Sequence, residues 1–125
     1  MINKTSILLI ENDIQAVSQL TESCIEAGIS ERNIFSVSEI ESAERYLEIA
    51  GISYVIINAD LYNFVIASVI EKFSAYFPIQ VIITNAKPEQ KTLRMMNDKS
   101  LIFINSYEEL QDILYIRNSN KVSYL

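Results

Sequence analysis

Ser6-Ile7-Leu8-Leu9-Ile10-Glu11-Asn12-Asp13 is the stretch on which the fold turns. An unbroken apolar run of this length reads as a strand buried on both faces. It ends abruptly in two acids, Glu11 and Asp13, and a stripe of helical spacing follows, made of Ile14, Val17, Leu20 and Cys24. Two carboxylates at the carboxyl end of a strand are a common way to hold a hard cation such as Mg²⁺. A later apolar strand, Tyr54-Val55-Ile56-Ile57, ends in Asn58, where such a site would want a third carboxylate.

Outward from this unit the same alternation repeats. Further short strands are predicted at Ile34–Val37, Gln80–Ile83 and Leu101–Ile104. Helical stripes are predicted through Ile40, Ala43, Leu47 and Ala50, through Ile66, Val69, Ile70 and Phe73, and through Leu110, Ile113 and Leu114. Gly28 and Gly51 each fall just past a predicted helix, where a left-handed residue closes the last turn. Ser38 and Glu41 have capping-box spacing, and Pro88 suits the first turn of a short fourth helix. Five strands alternating with five helices imply an α/β fold, a doubly wound parallel sheet covered on both faces. One domain is expected over residues 1–117, with residues 118–125 as a short polar tail.

Composition narrows the function. The chain has 125 residues, a formal charge of −6 and no histidine. Binding to nucleic acid rests on phosphate neutralisation by Lys and Arg, so none is expected. Without histidine, the commonest general base and transition-metal ligand are missing. Cys24 is the single cysteine, which leaves no intrachain disulfide. No apolar run reaches the roughly 20 residues of a membrane span, and Met1-Ile2-Asn3-Lys4 lacks a secretion-signal layout. A cytoplasmic protein without membrane contact is expected.

Ligands of such sheets bind outside the carboxyl ends of the strands. The candidate positions are therefore Glu11, Asn12 and Asp13; Asn58, Ala59 and Asp60; Thr84 and Asn85; Asn105 and Ser106. With these residues in place, the chain resembles bacterial response-regulator receiver domains over about residues 4 to 117. The resemblance lies in the acidic opening, the element order, the spacing to the third strand's end and the hydroxyl of Thr84 after strand four. It implies the flavodoxin-like receiver topology. It also implies a site in which an aspartate accepts a phosphoryl group from a histidine kinase, an acidic pair binds Mg²⁺, and a hydroxyl and a lysine contact the phosphoryl oxygens.

This chain departs from that pattern at several positions. Glu11 and Asp13 match the metal-binding acids and Thr84 matches the hydroxyl, but Asn58 stands at the acceptor position and Asn105-Ser106 at the Lys-Pro position. Ile102 stands where the family has its mobile aromatic. An amide is no nucleophile toward phosphorus, and Asn105 brings no fixed charge to the transferring group. A degenerate phosphorylation site of Asn58, Thr84 and Asn105 is expected, with no catalysis, no cofactor and at most residual, weak Mg²⁺ binding at Glu11 and Asp13.

Structural roles compete at each position. Asp13 is placed to cap the helix beginning at Ile14, and Asn58 to relieve repulsion with Glu11 and Asp13. Lys87 could replace the missing cation, although a lysine at a helix start is usually solvated. The expected function is a phosphorylation-independent signalling or protein-interaction module. By resemblance, a protein partner or second copy would dock on the fourth helix, fifth strand and fifth helix, through Tyr107, Tyr115 and Ile116. One alternative is a phosphoacceptor that uses Asp60 or Asp13. Another is a small flavin- or nucleotide-binding enzyme, against which the acidic first loop counts, since it would repel phosphate.

Overall fold

Side-chain alternation along the strands divides the core into two halves, one on each face of the sheet. The computed structural model describes residues 5–49, 51–76, 78–91 and 101–122, with residue 49 and residues 115–122 as backbone only. The strands are β1 (Ile7–Ile10), β2 (Ile34–Val37), β3 (Tyr54–Asn58), β4 (Gln80–Thr84) and β5 (Leu101–Phe103). The helices are α1 (Ile14–Glu26), α2 (Ile40–Ile49), α3 (Phe64–Ser74), α4, described over 88–91, and α5 (Tyr107–Val122). All strand pairs are parallel, in the order β2-β1-β3-β4-β5. This is the flavodoxin-like α/β topology that the apolar runs and intervening stripes predict.

Ile7, Leu9, Tyr54, Ile56 and Ile82 point to one face, where they meet Leu20 and Cys24 of α1 and Leu110 and Leu114 of α5. Leu8, Ile10, Val55, Ile57, Val81 and Ile83 point to the other, against Ala43 and Leu47 of α2 and Ile66 and Ile70 of α3. A bond from Gln111 Nε2 to Glu26 Oε2 (2.6 Å) ties α5 to α1 along their outer edge. Each fully buried aliphatic side chain contributes about 1.5–3 kcal/mol, so this two-sided burial is the main term holding the sheet together.

Several boundaries differ from the sequence expectation for local reasons. Asn58 and Thr84 extend β3 and β4 because they pair with each other in the ladder. Ile14 leaves the expected core stripe and is 85% exposed, because it begins α1 above the sheet end rather than over it. Helix α2 starts at Ile40, which puts Ser38 outside the cap position and leaves the capping box unmade. The backbone of α5 continues to Val122, beyond residue 117, since no glycine or proline interrupts that segment. Gly28 follows the C-cap residue Ala27 with φ 101°, the left-handed closure expected of it. Ala50 lies outside the described residues.

Candidate functional site

The chain leaves β1 for β2 on one side and returns through α2 to β3 on the other, so the strand order reverses between β1 and β3. A reversal of this kind opens a crevice at the carboxyl ends of the strands. Glu11 and Asn58 stand on its two sides.

Glu11 continues β1, with its backbone N–H donating to Val37 O at 3.1 Å. Its carboxylate is almost wholly buried, at 3% exposure. Oε2 accepts from the backbone N–H groups of Asn12 (2.9 Å) and Asp13 (3.2 Å). Oε1 accepts from Asn58 Nδ2 at 3.1 Å. The orientation of the Asn58 amide follows from its other end, where Oδ1 accepts from the backbone N–H of Asp60 at 2.9 Å. The oxygen serves the turn Ala59–Leu61, so the nitrogen faces Glu11. A buried carboxylate without partners would be strongly destabilising, and hydrogen bonds to a charged group return about 1.5–3 kcal/mol each.

Asp13 does structural work. Its Oδ1 accepts from Gln15 N at 3.0 Å and caps α1, where a negative charge also complements the helix dipole. Glu11 and Asp13 therefore do not form the acidic pair expected for Mg²⁺. One carboxylate is taken by three N–H groups, the other faces a helix end, and Asn58 offers its NH₂ group rather than an oxygen. Among the described residues no three of His, Cys, Asp and Glu converge as metal ligands. The donor set present does not fit the ion.

The β4–β5 half of the site is built differently. Thr84, opposite Asn58 in the ladder, is 7% exposed, and its Oγ1 has no hydrogen-bond partner among the described residues. Asn85 follows in the left-handed region (φ 57°), a conformation asparagine tolerates better than most residues. Asn105 Oδ1 accepts from Lys91 Nζ at 2.8 Å, and its N–H donates to Glu109 Oε1 at 3.2 Å. Glu109 N–H in turn donates to Ser106 Oγ at 3.3 Å. A cation does reach the end of β5, but from α4 rather than from the residue following the strand. The sequence gives little sign of Lys91. Only its spacing from Lys87, one helical turn away, hints that the two share a face of α4.

Together these residues open a cavity of about 620 Å³ whose lining includes Glu11, Leu20, Thr84, Ile104, Asn105 and Tyr107. Asp60 is not on its wall; its Oδ1 is exposed and accepts from Gln90 Nε2 at 3.4 Å. Tyr107 is half-buried against the α1–α5 half of the core. The side chains of Tyr115 and Ile116 lie outside the described residues.

No protein-family model matches the sequence, and no curated protein is similar to it. Solved structures do resemble it. The crystal structure of a response regulator receiver domain from Rhodospirillum rubrum aligns with TM-score 0.59 at 16% identity, covering 97% of this chain and 95% of that one. The signal receiver domain of a protein described as a Luxo repressor from Vibrio parahaemolyticus aligns with TM-score 0.62 at 14% identity, covering 96% and 95%. A de novo designed Rossmann 2x3 protein aligns with TM-score 0.60 at 14% identity, covering 86% and 83%. The designed protein matches about as well as the two receiver domains, so the likeness is one of fold.

Proposed function

We propose that this chain is a receiver-fold signalling module that works through protein contacts, in the cytoplasm, without accepting a phosphoryl group and without catalysing a reaction. The observation that carries this reading is the bond from Asn58 Nδ2 to Glu11 Oε1. In one substitution it removes the oxygen nucleophile from the end of β3 and supplies a neutral donor to the Glu11 carboxylate. Lys91 is held by Asn105 instead of standing free to meet a phosphoryl oxygen. The partner surface proposed is the face of α4, β5 and α5, with Tyr107, Tyr115 and Ile116 as the contact residues. It rests on the receiver resemblance.

The test is exposure of the full chain to acetyl phosphate and Mg²⁺, followed by intact-mass measurement. The mass should not change. A stoichiometric phosphoryl adduct, mapped to Asp60 or Asp13, would replace this reading with that of a working phosphoacceptor.

A further inference from the structure

We propose that the cavity between β1, β4 and β5 is a binding site for an organic cation, an ammonium or guanidinium head on a short aliphatic stem. It does not depend on whether the chain is phosphorylated. Its volume of about 620 Å³ lies within the range of small-molecule sites, about 300–1,000 Å³.

The charge of the lining selects the head group. Glu11 and Glu108 line the cavity, and among the described residues no Lys or Arg does. Lys91 sits at the rim through Asn105, where Glu109, bonded to the same residue's N–H, offsets it. A carboxylate has about four acceptor directions, and protein N–H groups occupy three of those on Glu11. Two strands away on the same cavity, the buried Thr84 Oγ1 has no hydrogen-bond partner among the described residues, and a buried polar group left so is destabilising. A head group of positive charge that carries several N–H donors can serve an acceptor on each side of the cavity.

Other ligand classes answer less. An anion would meet two carboxylates on the wall. A neutral polyol could satisfy Thr84 but would leave the Glu11 charge uncompensated. A hard divalent ion wants several free oxygens, which the occupied Glu11 cannot give. Leu20, Ile104 and Tyr107 supply apolar wall for a stem, as buried surfaces do for the methylenes of lysine and arginine, and a tyrosine ring also attracts cations.

The experiment is methyl and amide NMR of the full chain, titrated with n-butylammonium and n-butylguanidinium. The controls are n-butanol, as neutral isostere, and inorganic phosphate, as anion. The expected result is saturable shifts at Leu20, Ile104 and Thr84 with the cations alone. Thr84→Val removes only the unpartnered hydroxyl, so the fold should survive, and binding should weaken about two- to tenfold. Glu11→Gln should weaken it about tenfold or more where its spectrum shows a folded chain.

A capped glycine peptide carrying a single arginine or lysine separates the sources of the cation. Tighter binding of the peptide assigns the site to a partner's side chain, and tighter binding of the free amine assigns it to a small molecule. The proposal is overturned if butanol binds as well as the cations, if phosphate saturates the same resonances more tightly, if neither cation gives saturable shifts, or if Thr84→Val binds like the wild type.

Discussion

Replacing Asn58 with Asp tests the core of the site, because it changes one atom and keeps one of the two bonds. The new carboxylate can still accept from the backbone N–H of Asp60, as Asn58 Oδ1 does. What changes is the 3.1 Å contact with Glu11, which turns from N–H···O into O···O. Two ionised carboxylates at that distance repel by about 5 kcal/mol at an effective dielectric of about 20. The variant has an escape, since one carboxyl can take up a proton. At pH 7 that costs about 4 kcal/mol for a group with the ordinary aspartate pKa of about 3.9. The smaller of the two figures limits the penalty, so Asn58→Asp should be less stable than wild type by about 2–4 kcal/mol at pH 7. At pH 4.5 the same proton costs less than about 1 kcal/mol and forms a carboxyl–carboxylate hydrogen bond, so most of the loss should disappear. Urea denaturation at both pH values, in the presence of a chelator, measures this. Mg²⁺ should restore stability to the variant at pH 7 and do little for the wild type, because only the variant has free like charges to neutralise. An Asn58→Asp protein as stable as wild type at pH 7 without Mg²⁺ would refute the claim that the amide–carboxylate bond holds the site together.

Asp13→Ala should lower stability by about 1 kcal/mol through loss of the α1 cap, seen as a shifted urea midpoint, with no Mg²⁺-dependent component. Ile14→Ser should change stability by less than about 0.5 kcal/mol, because the side chain is 85% exposed. Leu110→Ala, at a fully buried position between α5 and the sheet, should cost about 2–5 kcal/mol in the same assay. Burial pushes the Cys24 thiol up from 9.0 to about 12, so alkylation of the native protein should be slow and limited by opening of the α1–α5 core. Above pH 9.0 the unfolded chain loses this proton while the native chain keeps it. Stability should therefore fall with rising pH by up to about 1.4 kcal/mol per unit from this group, and Cys24→Ala should lack that slope.

Most of the fold was legible in the sequence because its signals are local and redundant. Ile7–Ile10, Tyr54–Ile57 and Gln80–Ile83 are too uniformly apolar for a half-exposed strand, and the intervening stripes leave no architecture other than a covered parallel sheet. The misreadings came where one residue can satisfy two patterns. Ile14 fits the α1 stripe by spacing, yet the helix begins with it and carries it past the sheet edge. Ser38 and Glu41 have the spacing of a capping box, but the helix starts one residue too late to use it. Within the site, the sequence placed Glu11, Asn58, Thr84 and Asn105 at strand ends and weighed a capping role for Asp13. It could not show that Asn58 donates to Glu11, because that bond spans the β1–β3 ladder and depends on which way an amide turns. Lys91 was invisible for a similar reason, since its contact with Asn105 joins two segments whose relation only the tertiary structure sets.

The two halves of the crevice have been resolved in opposite ways. On the β1–β3 side, every strong acceptor is answered from within the chain: Glu11 by two backbone amides and Asn58, and Asp13 by the start of α1. These bonds leave Glu11 about one open acceptor direction, and a ligand shifts a conformational equilibrium only by its differential affinity for the two states. On the β4–β5 side, the buried Thr84 hydroxyl lacks a partner among the described residues and borders a cavity with acidic lining. Any ligand response of this chain should therefore need the second half, with Glu11 adding its remaining acceptor direction. Changes at Thr84 should alter it, while Asp13→Ala, acting on a cap already satisfied within the first half, should leave it unchanged apart from the loss of global stability.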